Sequence, residues 1–123
     1  MKINTHKDLE VYKLAFESAQ IIFELSKKFP VEEKYALTDQ IRRSSRSVCA
    51  NLAEAYRKRK YSKLLYSKIT ECISEASETQ TWLDFAIECG YLDKDLYDEI
   101  SVAYDHIIGK LVNMSRQTHK WTY

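Results

Sequence analysis

Ser62-Lys63-Leu64-Leu65-Tyr66-Ser67-Lys68-Ile69-Thr70-Glu71-Cys72-Ile73-Ser74-Glu75-Ala76-Ser77-Glu78-Thr79-Gln80-Thr81-Trp82-Leu83-Asp84-Phe85-Ala86 is the stretch that decides the fold. Within it Leu65, Ile69, Cys72, Ala76, Thr79, Leu83 and Ala86 recur at alternating spacings of four and three, which is one face of a long helix. Ser62 is placed to cap its start, and Gly90 suits the left-handed position that follows a helix C-terminus. Downstream, Asp93 caps a further helix whose stripe is Tyr97, Ile100, Tyr104, Ile107, Leu111 and Met114. Upstream, the run Arg57-Lys58-Arg59-Lys60 interrupts the pattern. Before it lies a stripe of Leu37, Ile41, Ser44, Val48, Asn51 and Ala55, on a helix expected to start near Glu32-Glu33, where carboxylates favour an N-terminus. The first helix takes Thr5 as cap, carries Leu9, Tyr12, Phe16, Ala19 and Phe23, and ends at Phe29-Pro30, because the residue before proline is pushed out of the α region.

Four helices joined by short connections pack as antiparallel neighbours. The expected fold is all-α, an up-down-up-down antiparallel four-helix bundle, in one domain spanning residues 1–123 with a frayed tail over about 118–123. Composition agrees. The chain has 123 residues, 45% hydrophobic and 30% charged, with only two Gly and one Pro. Sandwiches and barrels need many tight turns, and their Gly, Asn or Asp at positive φ, so most all-β folds are excluded. A Gly-rich phosphate loop cannot be written with only Gly90 and Gly109. The N-terminal stretch Met1–Asp8 shows no apolar signal core, and no apolar run reaches the ~20 residues of a membrane span. Cys49, Cys72 and Cys89 are odd in number and scattered, which fits a reducing cytoplasm and a role as small apolar fillers.

The second helix also carries a polar seam: Gln40, Ser44, Ser47, Asn51 and Glu54, at spacings that share one face. Glu71, Glu75 and Glu78 draw an acidic line on the third helix. Ser44 and Asn51 occupy core-type positions, where an unpaired polar group costs about 1–3 kcal/mol. The seam therefore either finds partners across a helix or subunit interface or is simply solvated. Asn51 and Glu54, with Arg43, are the residues expected to bond to another helix or subunit.

Phe29-Pro30, Leu37-Thr38-Asp39-Gln40-Ile41-Arg42-Arg43-Ser44 and Ser47-Val48-Cys49-Ala50-Asn51-Leu52-Ala53-Glu54 resemble the signature of the bacterial 23S rRNA intervening-sequence proteins, the S23 family. Glu75 to Leu83 and Gly90-Tyr91-Leu92 are similar to that family's third helix and following loop. Ala55 departs from the Gly usual in the family. The resemblance runs from about Leu9 to Leu111 and implies a four-helix bundle without an established biochemical activity. A related accessory protein of diversity-generating retroelements forms a ring of five and binds nucleic acid and a reverse transcriptase. By resemblance, then, a homopentameric ring and an RNA, DNA or nucleic-acid-enzyme partner are implied.

Net charge is only +1, but its distribution is uneven. Residues 42–68 hold Arg42, Arg43, Arg46, Arg57, Lys58, Arg59, Lys60, Lys63 and Lys68 against Glu54, a net +8. Residues 71–105 carry a net −9. Three readings stay open. The basic run is a solvated loop; or it holds phosphates while Tyr56, Tyr61 or Tyr66 stacks on a base; or it meets the acidic segment of another copy, head to tail, closing a ring. The first two of the basic clusters, Arg42, Arg43 and Arg46 with Arg57, Lys58, Arg59, Lys60 and Lys63, are the candidate nucleic-acid contacts. The alternative function is a protein–protein scaffold.

Enzyme chemistry finds no constellation. A di-iron bundle needs two Glu-x-x-His motifs, but Ile3, Ala103 and Arg116 stand three positions before His6, His106 and His119. Zinc-ligand spacing is missing, and Asp105 and His106 are adjacent on a helix, pointing about 100° apart. Glu75 with Glu78 has no evident substrate cleft. No catalytic residue, cofactor or metal is expected.

Overall fold

A computed structural model describes residues 3–121 of the chain. Its four helices are α1 (Glu10–Ser26), α2 (Leu37–Arg57), α3 (Ser62–Glu88) and α4 (Lys94–Arg116), with no strand among the described residues. Side-chain contacts fix the directions. Ser44 meets Thr79, the Val48 carbonyl meets the Cys72 thiol, and Glu54 meets Lys68, so α3 descends as α2 ascends. Arg42 with Ser26, and Tyr56 with Ile3, set α1 against α2 in the same opposed sense. Gln80 with Asp105 and Asp84 with Tyr97 do so for α3 and α4. The α2–α3 interface is the most extensive of the four and α1–α4 the slightest.

On α3 the buried residues are Leu65, Ile69, Cys72, Ala76, Thr79, Leu83 and Ala86, the same seven that the spacing predicts. Beyond Glu88 the Tyr91 N–H bonds to the Ala86 carbonyl at 2.9 Å and the Gly90 N–H to that of Ile87 at 3.0 Å. This is a Schellman ending, and Gly90 takes the left-handed φ of +76° that it requires. Asp93 caps α4 by accepting the Leu96 N–H at 2.8 Å.

Several features differ from the sequence reading: α1 ends at Ser26, three residues before Phe29, and Ser62 is the first residue of α3, whose N-cap Tyr61 makes no side-chain cap bond. Thr5 caps a separate 3-10 turn, His6–Asp8, and not α1: its hydroxyl accepts the Lys7 N–H while the Asp8 carboxylate accepts the N–H groups of Asn4 and Thr5. Those two bonds hold the Asp8 carboxyl below its usual range. Val31–Glu33 is likewise a 3-10 turn, and α2 begins only at Leu37, whose N–H reaches Glu33 Oε1. On α1 the stripe is partly shifted: Leu9 and Ala19 are buried as expected, but the core face is carried by Val11, Ala15, Ser18, Ile22 and Leu25, while Tyr12 and Phe23 are half-buried and Phe16 is 51% exposed.

At the other end of the chain Thr118–Lys120 form a 3-10 turn and Trp121 packs partly buried against the core. Thr122 and Tyr123, the last two residues of the tail, lie outside the described residues.

Candidate nucleic-acid interface and polar seam

The basic residues that the sequence places in one run occupy two stations. Arg42 and Arg46 face α1, where their guanidinium carbons lie 4.7 and 5.1 Å from the centre of the Phe23 ring. Arg43 points elsewhere, is 72% exposed, and comes within 3.9 Å of Asp39. Arg57, Lys58, Lys60 and Lys63 sit at the α2–α3 connection, about 20 Å further along the axis at 1.5 Å of rise per residue. All four are exposed and none forms a salt bridge among the described residues, although the Lys58 charge acts on Glu54 one turn before it. Arg59 differs from them. Its guanidinium lies 3.8 Å above the Tyr56 ring and donates to the Tyr56 carbonyl at 2.8 Å.

Of the three tyrosines interleaved with this run, Tyr56 is buried, and its hydroxyl reaches the Ile3 carbonyl at 3.5 Å. It is closed to base stacking. Tyr61 and Tyr66 are exposed, with Leu64 beside them. The cause is helical register: Tyr56 follows Leu52 at the spacing that returns to the core face.

Along the seam, Ser44 is buried and paired with Thr79 at 2.8 Å. Gln40, Ser47 and Asn51 are half-buried. The Asn51 amide has no side-chain hydrogen bond among the described residues. Glu54 is exposed and pairs with Lys68 of α3 at 2.8 Å, and Lys68 also reaches Glu71 at 3.1 Å. The hydrogen bond to Lys68 holds the Glu54 carboxyl below its ordinary value, and the bonds to Glu54 and then Glu71 raise the Lys68 ammonium. Glu75 behaves in the opposite way: burial first, then the Glu78 charge, push its carboxyl up, against a pull from Arg43. Glu78 accepts the Trp82 indole N–H at 3.3 Å. Trp82 and the exposed Phe85 form a tilted ring pair 6.0 Å apart, so the acidic line runs into an aromatic surface.

At the end of the bundle opposite the basic connection, the Tyr91 hydroxyl donates to Glu33 Oε2 at 2.9 Å, and its ring lies 5.5 Å from that of Phe29. The Glu33 carboxylate pushes the Tyr91 phenol up to about 12. Among the described residues no group of three or more His, Cys, Asp or Glu is placed to hold a metal ion, and no helix is long and apolar enough to cross a membrane. Cys49 is half-buried and Cys72 buried; burial raises their thiols to about 11 and about 12.

Fold and surface together define an antiparallel, all-helical four-helix bundle protein with a polar α2–α3 seam and two cationic stations. The family model of the 23S rRNA-intervening sequence protein matches residues 7–113. The chain belongs to that family. It is similar to a protein of unknown function from the S23 ribosomal protein family of Bacteroides thetaiotaomicron, whose crystal structure superposes with a TM-score of 0.78. The two are 28% identical over 87% of this chain and 96% of that one. Comparison with curated proteins gives no match.

Proposed function

We propose that this chain is a non-enzymatic, cytoplasmic binding protein that assembles into a homopentamer and holds RNA, or a nucleoprotein partner, at its α2–α3 connection. The observation that carries the reading is the state of Arg57, Lys58, Lys60 and Lys63: exposed, clustered and without a salt bridge among the described residues. Glu54, the one acid in the segment, is already held by Lys68. Exposed Tyr61 and Tyr66 add ring faces on which unpaired bases stack.

Fluorescence anisotropy with RNA and DNA across a salt series tests this. Four phosphate contacts give a log–log slope of roughly −2.8 on single strands and −3.6 on a duplex for one subunit. Substituting all four residues by Gln keeps helix propensity and removes the charge, and it should weaken binding and flatten the slope. No binding at low salt by the unsubstituted protein defeats the reading.

A second reading, a protein–protein scaffold without a nucleic-acid role, is favoured by one feature: the row of Glu75 and Glu78 leading to Trp82 and exposed Phe85. Salt-resistant self-association without affinity for nucleic acid is its signature.

A further inference from the structure

Phe23 of α1 is flanked by three cations. The Lys27 ammonium lies 4.8 Å from the ring centre, with the Arg42 and Arg46 guanidinium carbons at 4.7 and 5.1 Å. As an i, i+4 pair, Arg42 and Arg46 share one face of α2, and a common ring holds their charges within about 10 Å of each other. Arg42 is fixed further by donating from Nε to Ser26 Oγ at 2.8 Å, which leaves both of its Nη groups unspent.

Neither guanidinium has a carboxylate partner among the described residues. Glu24, the nearby acid on α1, is taken by Lys27 at 3.2 Å. Two like charges are thus held side by side without a counter-ion, at a repulsive cost that a bound anion would remove. Contact with the ring consumes no N–H donor, so the two Arg42 Nη groups and the Arg46 guanidinium keep the edge that pairs with phosphate oxygens.

We infer that Phe23, Arg42 and Arg46 form a binding site for a phosphate group on the α1–α2 face, with Lys27 on its rim. A tetrahedral oxyanion accepts from two forks at once, which a carboxylate with two coplanar oxygens does less well. The site is separate from the α2–α3 connection and excludes Arg43, which leaves the helix on another side. A phosphate group reaches it either as a small free anion or as part of a nucleic-acid backbone. The backbone case rests on the RNA reading above, and the anion site itself does not.

Inorganic phosphate titrated into nitrogen-15-labelled protein at constant ionic strength, with chloride as the control, tests the site through the arginine Nε–Hε signals. The Arg42 and Arg46 signals should shift together and saturate, while those of Arg43 and of Arg116 on α4 stay still. Arg42→Gln with Arg46→Gln should cost about tenfold or more in phosphate affinity, the effect of losing a charge-assisted hydrogen bond. Arg42→Lys with Arg46→Lys keeps both charges and loses the forks; unchanged affinity in this pair, or a chloride response equal to that of phosphate, overturns the inference. Phe23→Leu keeps the bundle apolar contact and removes the ring face, and it should weaken phosphate binding with both arginines present. A 12-nucleotide single-stranded RNA separates the sources. Loss of RNA binding in the Gln pair assigns the site to a nucleic-acid backbone; unaltered RNA binding beside a saturable phosphate response assigns it to a free anion. A protein that binds phosphate here and no RNA at all retains the site and loses the function proposed for the α2–α3 connection.

Discussion

The hydroxyls of Ser44 and Thr79 lie 2.8 Å apart across the α2–α3 interface, both buried within a mainly apolar core. Thr79 also faces the Glu75 carbonyl at 2.9 Å, so the pair is anchored to the backbone of α3. Thr79→Val keeps the shape and leaves the Ser44 hydroxyl only its 3.4 Å bond to the Ile41 carbonyl; it should destabilise the fold by about 1–3 kcal/mol in urea unfolding. Adding Ser44→Ala should recover part of that loss, because the poorly satisfied group is then gone.

Tyr104 makes the opposite case. Its hydroxyl is buried and has no hydrogen-bond partner among the described residues, the neighbouring Thr79 hydroxyl being outside bonding geometry. Tyr104→Phe removes a desolvated oxygen and leaves the ring packing intact. Stability should stay level or rise by up to about 1 kcal/mol, read in the same unfolding experiment.

The two glycines should respond with opposite signs. Neither has an atom within 4 Å of an added Cβ, so space does not decide. Gly90 sits at a φ of +76°, and Gly90→Ala should cost about 1–2 kcal/mol for the left-handed conformation. Gly109 lies exposed inside α4, where Ala should stabilise by about 0.5–1 kcal/mol. Thermal unfolding of the two variants checks both directions.

Two glutamates should titrate on either side of the ordinary value in carboxyl carbon-13 spectra. Glu54 falls below it through its bond to Lys68, and Glu75 rises above it through burial. The sign follows. A lowered carboxyl contributes stability above its unfolded pKa and loses it as pH falls through the folded one. Lys68→Met should therefore destabilise near neutral pH and have little effect in acid, where Glu54 is protonated in both states. On the basic side the raised Lys68 ammonium holds its contribution below its unfolded pKa and loses it as pH rises through the folded one.

Static light scattering should give a mass near five times 14.5 kDa for the assembly proposed above. A 14.5 kDa species at moderate concentration and low salt would remove the ring from the proposal. Asn51→Leu probes the same question. With no side-chain hydrogen bond inside the chain, its amide should leave the folding stability of one subunit nearly unchanged when replaced and alter assembly instead.

Helix α3 was fully legible because every residue on its buried face is apolar or small and recurs without interruption from Leu65 to Ala86. Helix α1 was legible only in part, because large aromatics outweigh small residues in any reading of apolar spacing, whereas the buried face takes Ala15 and Ser18 and leaves Phe16 exposed. The start of α2 was misplaced for a related reason. Glu33 does serve the N-terminus of that helix, but from a preceding 3-10 turn through its side chain. For the surface, adjacency in sequence hid separation in space. Arg42, Arg43 and Arg46 are near neighbours in the chain, yet Phe23 gathers the first and third and leaves the second to Asp39. No spacing rule names Phe23, since its partners belong to another helix.

The crevice lined by Leu9, Tyr56, Arg59 and Trp121 brings three passages of the chain to one end of the bundle. Ile3, bonded to Tyr56, marks the incoming strand of backbone, the α2–α3 connection is the second, and Trp121 marks the outgoing one. A tag joined through Ile3 or through Trp121 would start out from the end of the bundle that carries the α2–α3 connection. An acidic tag would act as a tethered competitor, present at high local concentration however dilute the sample. A dye or surface anchor belongs at the far end instead, on the exposed side chains of Val31 or Tyr35, where it leaves the basic end open to whatever approaches.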